Sequence, residues 1–218
     1  MSLAIFDLDN TLLEGDSDHA WGEFLVNKGI VDAQVYRQAN DLFYQQYQDG
    51  SLNIDEYLEF ALKPLINQPT QILSDWHKQF MRDYIAPMRQ PRADALLQKH
   101  RDQGDHLLII TATNHFITGP IAALLGVGEI LATDPEMIDG FYTGRVSGTP
   151  CFQRGKVTRL EQWLKNNSHS LANSFFYSDS FNDLPLLELV DNPVAVDPDD
   201  RLAKHAVDHQ WPIISLRG

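Results

Sequence analysis

The stretch that decides the fold is residues 4–13, AIFDLDNTLL. Three apolar residues, Ala4 to Phe6, lead into two aspartates, Asp7 and Asp9, which stand two positions apart. If the chain stays extended here, residues two positions apart point to the same side of it. Two carboxylates held that close at the end of a buried strand repel each other and favour a divalent cation, a proton or both. The stretch therefore indicates a site for phosphoryl-transfer chemistry.

The composition of the chain is that of an acidic globular protein. It has 218 residues, of which 43% are hydrophobic and 22% are charged, and its net charge is −13. An excess of acidic residues argues against nucleic acid or an anionic membrane as a partner, because both attract clustered Lys and Arg. The argument does not extend to small anionic substrates, because one lysine and a metal ion reverse the field inside a pocket.

The sequence shows no sign of export or of membrane insertion. Its single cysteine, Cys151, cannot form an intramolecular disulfide bond. No apolar run approaches the roughly 20 residues that a membrane span needs, and the first residues lack the basic and then apolar pattern of a signal peptide. We therefore expect a cytoplasmic protein with no membrane partner. Its oligomeric state is not indicated.

Segments typical of strands and of helices alternate along most of the chain. Residues 106–111 form a continuous apolar run of the kind found in parallel strands that are covered on both faces. Further strands are predicted at residues 3–8, 129–133, 174–178, 193–196 and 212–216, and helices at 93–103, 116–125, 156–166, 182–190 and 201–209. Asp139-Gly140 predicts a hairpin turn. The alternation predicts an α/β fold, a doubly wound parallel sheet with helices on both faces.

One long segment, residues 16–88, interrupts this alternation. It has helical periodicity and no convincing strand run. The sequence therefore predicts an α/β catalytic core formed by residues 1–15 and 89–218, with a helical cap, residues 16–88, inserted after the first strand. Hinges for movement of such a cap are expected at residues 14–18 and 86–92.

Polar residues follow several of the predicted strands, at the edge of the sheet where ligands of doubly wound folds bind. They are Asp7 and Asp9, Thr111, Lys156 at a helix start, and Asp179 with Asn182 and Asp183. Each has an ordinary explanation by itself, as a turn or helix cap, a strand residue or a residue on a solvated helix face. Their occurrence together at one edge is what indicates a phosphate site.

The order and spacing of these segments resemble the four motifs of the haloacid dehalogenase superfamily of phosphohydrolases. Residues 7–11, DLDNT, resemble the first motif, Thr111 the second, Gly155-Lys156 the third, and residues 178–183, SDSFND, the fourth. The helical insertion between the first two motifs is similar to the cap of the phosphoserine-phosphatase-like branch. The resemblance covers nearly the whole chain and implies a Rossmann-like core with that cap.

The resemblance also implies an activity, the Mg²⁺-dependent hydrolysis of a small phosphorylated metabolite through an aspartyl-phosphate. In that mechanism Asp7 is the nucleophile, and Asp9 is the general acid and then the base. The implied Mg²⁺ ligands are the carboxylates of Asp7 and Asp179 and the backbone carbonyl of Asp9, with Asp183 close by. The implied contacts to phosphate oxygens are made by Thr111, Lys156 and Asn182.

The resemblance extends to the substrate. In the phosphoserine-phosphatase-like branch a cap-side acid just after the first motif binds the substrate ammonium, and Asp16 occupies the matching place, with Glu14 and Asp18 beside it. That branch also uses a cap arginine for the substrate carboxylate. The corresponding segment here, residues 50–62, has no arginine and offers Glu56 and Glu59. An acidic entrance of this kind suits a phosphate ester that has an amine and no carboxylate, such as histidinol phosphate.

Several other functions remain open at this stage. Phosphoserine is an alternative substrate. A receiver-like phosphoacceptor protein also combines an acidic metal site, an acceptor aspartate, a Thr or Ser and a lysine, but Asp9 and the helical cap argue against it. A phosphotransferase would pass the phosphoryl group to another alcohol instead of water. A purely structural or binding role leaves the paired carboxylates unexplained.

Overall fold

A computed structural model describes residues 2–218, and a single sheet forms the centre of this part of the chain. The strands are β1 (Leu3–Phe6), β2 (His106–Asn114), β3 (Glu129–Ile138), β4 (Phe141–Ser147), β5 (Phe175–Ser178), β6 (Asn192–Val196) and β7 (Ile213–Ile214). Their order across the sheet is β4-β3-β2-β1-β5-β6-β7. All neighbours are parallel except β3 and β4, which form an antiparallel hairpin. The first strand therefore lies in the middle of the sheet.

Helices make up most of the rest of the structure. They are α1 (Ser17–Asn27), α2 (Ala33–Asp49), α3 (Ile54–Leu62), α4 (Thr70–Phe80), α5 (Pro91–Asp102), α6 (His115–Leu124), α7 (Arg154–Asn166), α8 (Leu184–Leu187) and α9 (Asp200–Asp208). Shorter helical turns occupy Leu8–Leu12, Lys63–Leu65, Met81–Ile85, Ala86–Met88 and Phe181–Asp183. Helices α1 to α4 all belong to the insertion that separates β1 from the rest of the α/β core.

Both faces of the central strand β1 are buried, which explains its unbroken apolar sequence. Ala4 and Phe6 point into the larger cluster of buried apolar side chains, which includes residues of α5 and α6. Leu3 and Ile5 point into the cluster on the other face, formed with α7, α8 and α9. Alternate residues of a strand face opposite sides, so helices on both faces remove the whole strand from water.

The helical insertion packs onto the core through aromatic side chains. Trp21 and Phe24 of α1 lie beside Phe80 of α4, with ring centroids 5.1 and 5.9 Å from it, and all three join the larger buried cluster. The chain enters and leaves the insertion at a two-stranded neck, where Leu13 pairs with Arg89 in an antiparallel bridge. The predicted hinges lie at this neck.

The predicted fold class is confirmed, including the inserted helical cap. Several predicted boundaries are wrong. β1 ends at Phe6 and not at residue 8, because Leu8–Leu12 coil into a wide helical turn in which Asn10 has a φ of 55°. β2 continues past Thr111 to Asn114, and β3 extends to Ile138 because it forms the hairpin with β4. The domain limits at 15/16 and 88/89 stay a prediction.

Candidate active site

The two aspartates of the first motif are held by different means. Asp7 follows β1 directly, and its backbone N–H donates to Tyr177 O at 2.9 Å, which extends the pairing with β5 by one residue. Asp9 lies in the following turn, and both of its carboxylate oxygens are hydrogen-bonded. Oδ1 accepts the N–H of Ser17 at 2.7 Å, and Oδ2 accepts the hydroxyl of Thr113 at 2.8 Å.

Lys156 is the positive charge at the base of the site. Its Nζ donates to Asp7 Oδ1 at 3.0 Å and to the Asp183 carboxylate at 2.7 Å. The Ser178 hydroxyl donates to the same Asp183 carboxylate at 2.7 Å. All four side chains are buried. A buried ammonium with two carboxylate partners is strongly held. Burial lowers the pKa of Lys156, but the attraction of Asp183 and Asp7 outweighs this effect and the net pKa is raised, so Lys156 stays charged.

Asp179 is joined to the first motif by a reciprocal pair of hydrogen bonds. The Thr11 hydroxyl donates to Asp179 Oδ1 at 3.0 Å and accepts the backbone N–H of Asp179 at 3.0 Å. Residues 168 positions apart in the chain are therefore fixed beside each other. Thr11 orients Asp179 and leaves its second carboxylate oxygen without a bond from this threonine.

The site carries more negative than positive charge. Burial, followed by repulsion from Asp183 and Asp9, raises the pKa of Asp7 to about 8 although Lys156 opposes the shift. Burial and repulsion from Asp7 and Asp183 also raise the pKa of Asp179 well above its ordinary value. One ammonium thus compensates only part of the charge of these carboxylates.

This charge balance fits a divalent cation with oxygen ligands. Asp7 and Asp179 are the carboxylates with raised pKa values that could hold it, and Asp183 is already bonded to Lys156 and Ser178. Among residues 2–218 no three acidic, imidazole or thiol side chains converge closely enough to enclose a metal ion by themselves. A cation here would need backbone oxygen, phosphate or water as further ligands, which is the coordination that Mg²⁺ commonly has.

A cavity lies between these aspartates and the helical insertion. Its core side is lined by Asp7, Asp9, Thr111, Ala112 and Thr113, and its cap side by Asp16, Asp18, His19, Asn40, Phe43, Tyr44, Tyr47, Leu52, Ile54 and Tyr57. Only about 40 Å³ is open to the centres of water-sized molecules, which is room for a few waters. A phosphate ester needs more room, so the cap or its side chains must move to admit one.

The two acidic residues on the cap side are held differently. Asp16 is the N-cap of α1, and its Oδ1 accepts the N–H groups of Asp18 at 2.9 Å and His19 at 2.8 Å. Asp18 lies in the first turn of α1 and interacts with the Tyr57 hydroxyl. Burial, then repulsion from Asp18, raises the pKa of Asp16 to about 6. Burial, with a smaller repulsion from Asp9, raises the pKa of Asp18 to about 7.

Two predicted phosphate ligands differ in their surroundings. Thr111 is buried and lines the cavity, where its Oγ1 accepts the N–H of Thr113 at 3.3 Å. Asn182 instead spans to the cap, because its Nδ2 donates to the carbonyl of Tyr47 at 2.8 Å and its Oδ1 accepts from Gln153 at 3.3 Å. The Asn182 amide thus joins core and cap, and its contact with phosphate stays a prediction.

The acids of the third cap helix do not form the entrance that the sequence suggested. Glu56 and Glu59 are exposed and do not line the cavity, since α3 turns Ile54 and Tyr57 toward it. Glu56 accepts a bond from the capping residue Asn53 at 3.0 Å. The acidic character of the cavity comes from Asp16 and Asp18 instead.

Some residues of the site were missed by reasoning from the sequence. Thr113 bonds to Asp9, and its position two residues after Thr111 on an extending strand was the available signal. Thr11 is the last residue of the first motif, and the sequence predicted no function for it, although its hydroxyl orients Asp179. Tyr47 and Tyr57 carried no signal, because their contacts with the core and with Asp18 depend on how the cap folds.

Comparisons with known proteins agree with this geometry. The sequence model of the haloacid dehalogenase-like hydrolase family matches residues 4–188. The chain is 46% identical to a histidinol-phosphatase of Neisseria meningitidis serogroup C over 99% of both chains. It is 30% identical to the phosphoserine phosphatase SerB1 of Mycobacterium tuberculosis, covering 98% of this chain and 70% of that protein.

Solved structures show the same fold. A Bordetella pertussis protein described as having unknown function superimposes with a TM-score of 0.92 at 43% identity, over 99% of this chain and 98% of that one. A substrate-bound phosphoserine phosphatase superimposes with a TM-score of 0.72 at 17% identity, over 99% and 93% of the two chains. With the carboxylates and Lys156 gathered at the edge of the sheet, these matches establish that the chain belongs to the haloacid dehalogenase-like hydrolase family and is a phosphatase.

Proposed function

We propose that this phosphatase hydrolyses histidinol phosphate, a phosphate monoester that carries an amine and an imidazole ring and no carboxylate. The observation that carries this proposal is the lining of the cavity. Asp7 and Asp9 stand at its core end, and Asp16 and Asp18 stand on its cap side. Of the described cap residues, no lysine or arginine lines it.

The charge of the lining distinguishes between the candidate substrates. An ammonium group beside Asp16 or Asp18 gains a favourable interaction in a poorly solvated site. The carboxylate of phosphoserine would meet the same acidic residues with no cap-side cation to compensate it, and an uncompensated charge in such a site is costly. The sequence likeness to the Neisseria meningitidis histidinol-phosphatase supports the same choice.

The proposed reaction begins with Asp7. Its Oδ1 is bound by Lys156 at 3.0 Å, which leaves Oδ2 for attack on phosphorus. A new bond forms between Asp7 Oδ2 and phosphorus while the bond to the substrate oxygen breaks, giving an aspartyl-phosphate and an alkoxide. Lys156 and Thr111 lie where they can offset the charge that moves during this transfer.

Asp9 is suited to move the proton in both halves of the reaction. Burial, then repulsion from Asp16, raises its pKa to about 6, and a group that titrates near neutral pH can both give and take a proton. The Ser17 N–H and the Thr113 hydroxyl hold the carboxylate in place. Protonated Asp9 gives its proton to the leaving alkoxide, and its carboxylate then takes one from the water that hydrolyses the aspartyl-phosphate.

The excess negative charge of the site supports Mg²⁺ as cofactor. Asp7, Asp179 and the backbone carbonyl of Asp9 are the proposed protein ligands, with Asp183 held beside them by Lys156. When bound, Mg²⁺ would supply positive charge. This charge would lower the pKa of Asp7 and offset the negative charge of the phosphate oxygens. No helix of residues 2–218 could cross a membrane. A cytoplasmic location, a small phosphate ester as partner, and no nucleic-acid or membrane partner belong to this proposal.

The test is steady-state phosphate release from histidinol phosphate, phosphoserine, sugar phosphates and an aryl phosphate, with Mg²⁺, with chelator, and in an Asp7→Asn variant. The expected result is a preference for histidinol phosphate that needs both Mg²⁺ and Asp7. Preferred turnover of phosphoserine would refute the substrate. Transfer of the phosphoryl group to added alcohols in preference to water would indicate a phosphotransferase. One stable phosphoryl group per chain, without turnover, would indicate a phosphoacceptor protein.

A further inference from the structure

One acidic side chain of the cavity has no role in the reaction described above. Asp18 is half-buried in the first turn of α1 and lines the cavity beside Tyr57. The Tyr57 hydroxyl interacts with its carboxylate. His19 also faces both Asp18 and Asp16, but its Nε2 lies 2.9 Å from Asp41 outside the cavity. Asp18 therefore lacks a lysine or arginine partner among the described residues of the cap.

The carboxylates of Asp18 and Asp16 have different hydrogen-bond partners. The Asp16 carboxylate caps α1 by accepting two backbone N–H groups, which is reason enough for an acid at that position. Asp18 performs no such capping, and its position inside the cavity is unfavourable for an ionised group. A half-buried carboxylate facing a cavity, with only a tyrosine hydroxyl as partner, is completed by a ligand that brings N–H groups or positive charge.

The carboxylates line one cavity from its core side to its cap side. Asp7 and Asp9 belong to the core side, and Asp16 and Asp18 belong to the cap side. A substrate whose phosphorus is attacked by Asp7 would therefore place the rest of its carbon chain beside the two acids of the cap side. In histidinol phosphate the ammonium group lies nearer the phosphate along the carbon chain, and the imidazole ring lies farther from it.

We propose that Asp18 and Tyr57 together form the specificity pocket for the imidazole ring of the substrate, while Asp16 binds its ammonium group. An imidazole ring has one N–H donor when neutral and two when protonated, and a carboxylate accepts either. The Tyr57 hydroxyl serves the second ring nitrogen as donor or acceptor. Phe43 and Tyr44 line the same cavity and offer aromatic faces to the ring. This inference rests on the proposed function, because it assigns the residues that would select that substrate.

The experiment compares two esters in Asp18→Asn and Tyr57→Phe variants. Histidinol phosphate is paired with 2-aminopropyl phosphate, which keeps the ammonium group and the phosphate but lacks the imidazole ring. Asp55→Asn is the matched control, because it removes the same charge from an exposed position of the same cap, outside the cavity. Each protein is assayed for kcat and KM with both esters and for inhibition by histidinol, which lacks the phosphate.

The expected result is a loss confined to the ligands that carry the ring. Asp18→Asn should raise KM for histidinol phosphate and the inhibition constant of histidinol by about 10–100-fold, the usual effect of losing a hydrogen bond to a charged group. The kcat/KM for 2-aminopropyl phosphate should stay within about twofold of the wild type. Tyr57→Phe should show the same pattern at a smaller size, and Asp55→Asn should resemble the wild type.

Three results would overturn the inference, and they have different meanings. If wild-type enzyme shows no preference for histidinol phosphate over 2-aminopropyl phosphate, both the proposed substrate and the imidazole pocket are wrong. If the wild type has that preference and Asp18→Asn keeps it, the proposed function stands and the assignment of Asp18 is wrong. Equal losses with both esters would also overturn it, since they would mean that Asp18 supports the cavity generally.

Discussion

Lys156 Nζ lies 3.0 Å from Asp7 Oδ1, although the two residues are 149 positions apart in the chain. Asp7 follows the central strand β1, and Lys156 lies in the first turn of α7. The same ammonium is 2.7 Å from Asp183, which belongs to the fourth motif. Lys156 thus joins three of the four motifs, so we expect its loss to lower the stability of the protein as well as its activity.

Replacing Lys156 with methionine should destabilise the protein by about 3–5 kcal/mol at pH 8, because it leaves two buried carboxylates without their cation. Lys156 opposes the raised pKa of Asp7, so its removal should raise that pKa above about 8, and the loss of stability should grow as the pH rises from 8 to 9.5 and Asp7 ionises. Urea unfolding at pH 8 and pH 9.5, in the absence of Mg²⁺, measures both effects.

Lys165→Met is the control for this prediction, because Lys165 lies near the end of the same helix and is exposed. It should change the unfolding free energy by less than about 0.5 kcal/mol. A Lys156→Met protein as stable at pH 8 as this control would show that the ammonium does not compensate the buried carboxylates.

Replacing Asp9 with asparagine should separate the two halves of the proposed reaction. An amide cannot donate a proton to a leaving alkoxide, so turnover of alkyl phosphates should fall by about 10²–10⁴-fold. Nitrophenolate leaves without a proton, so formation of the aspartyl-phosphate from nitrophenyl phosphate should be affected less. Because water activation is also impaired, stopped-flow absorbance should show a burst of about one nitrophenolate per enzyme.

The matched control is Asp16→Asn, which changes a neighbouring carboxylate of the same cavity. This variant should show no burst, because it keeps Asp9 as acid and base. If Asp9→Asn lowered turnover of alkyl and aryl phosphates by the same factor and showed no burst, the result would argue against proton transfer by Asp9.

The sequence was sufficient for those parts of the fold that depend on local patterns. The continuous apolar run of residues 106–111 predicts a buried parallel strand, because both faces of β2 are covered. Asp139-Gly140 predicts a hairpin turn, because these residue types tolerate the positive φ that such a turn needs, which is 51° and 83° in the structure. β1 was predicted to extend to residue 8. It stops earlier because Asn10 adopts a φ of 55°, which no hydrophobic pattern reveals.

Contacts across the cavity could not be read from the sequence. The bond from Asn182 to the Tyr47 carbonyl joins residues 135 positions apart and depends on where the cap comes to rest on the core. The placement of Asp18 beside Tyr57 depends likewise on the packing of α1 against α3. The motifs therefore predicted the carboxylates and the lysine that the structure brings together at the edge of the sheet, while the cap side of the cavity required the folded cap.

Replacing Asp18 with asparagine should stabilise the protein at pH 8, although we expect it to weaken substrate selection. Burial raises the pKa of Asp18 from 3.8 to about 7. The folded state therefore binds this proton more tightly than the unfolded state, so the cost of this group to stability builds up between about pH 4 and pH 7 and is fully present above pH 7. The gain in Asp18→Asn should be about 1–3 kcal/mol at pH 8, reduced by partial solvent access, and should vanish near pH 4.

Thermal and urea unfolding at pH 8 and pH 4 test this prediction, again without Mg²⁺. Asp55→Asn is the control, since its exposed carboxylate should give less than about 0.5 kcal/mol at either pH. An Asp18→Asn protein that is less stable than the wild type at pH 8 would mean that the carboxylate is compensated within the protein and needs no ligand.

Gly15 offers a test of cap movement, because it lies at the neck between core and cap. Its φ is 143°, a conformation that side chains rarely adopt, and a Cβ there would lie 3.2 Å from the Met88 side chain. Its carbonyl accepts the N–H of Asn10 at 2.8 Å, and the N–H of the preceding residue, Glu14, donates to Met88 O on the other strand of the neck at 2.8 Å. Gly15→Ala should strain this neck by about 1–3 kcal/mol and lower kcat by about tenfold, since the cap must open and close in each turnover.

Gly29→Ala separates this effect from simple loss of stability. Gly29 also has a positive φ, 67°, and lies in the insertion, but a Cβ there would meet nothing within 4 Å. The Gly29→Ala protein should lose about 1 kcal/mol of stability and keep the wild-type kcat. The ratio of the kcat values of the two variants, compared at equal folded fraction, therefore measures the effect of strain at the neck alone. If Gly15→Ala is destabilised as expected but has the same kcat as Gly29→Ala, the neck at Gly15 does not control cap movement. The hinge would then lie in the other strand of the neck, around Arg89.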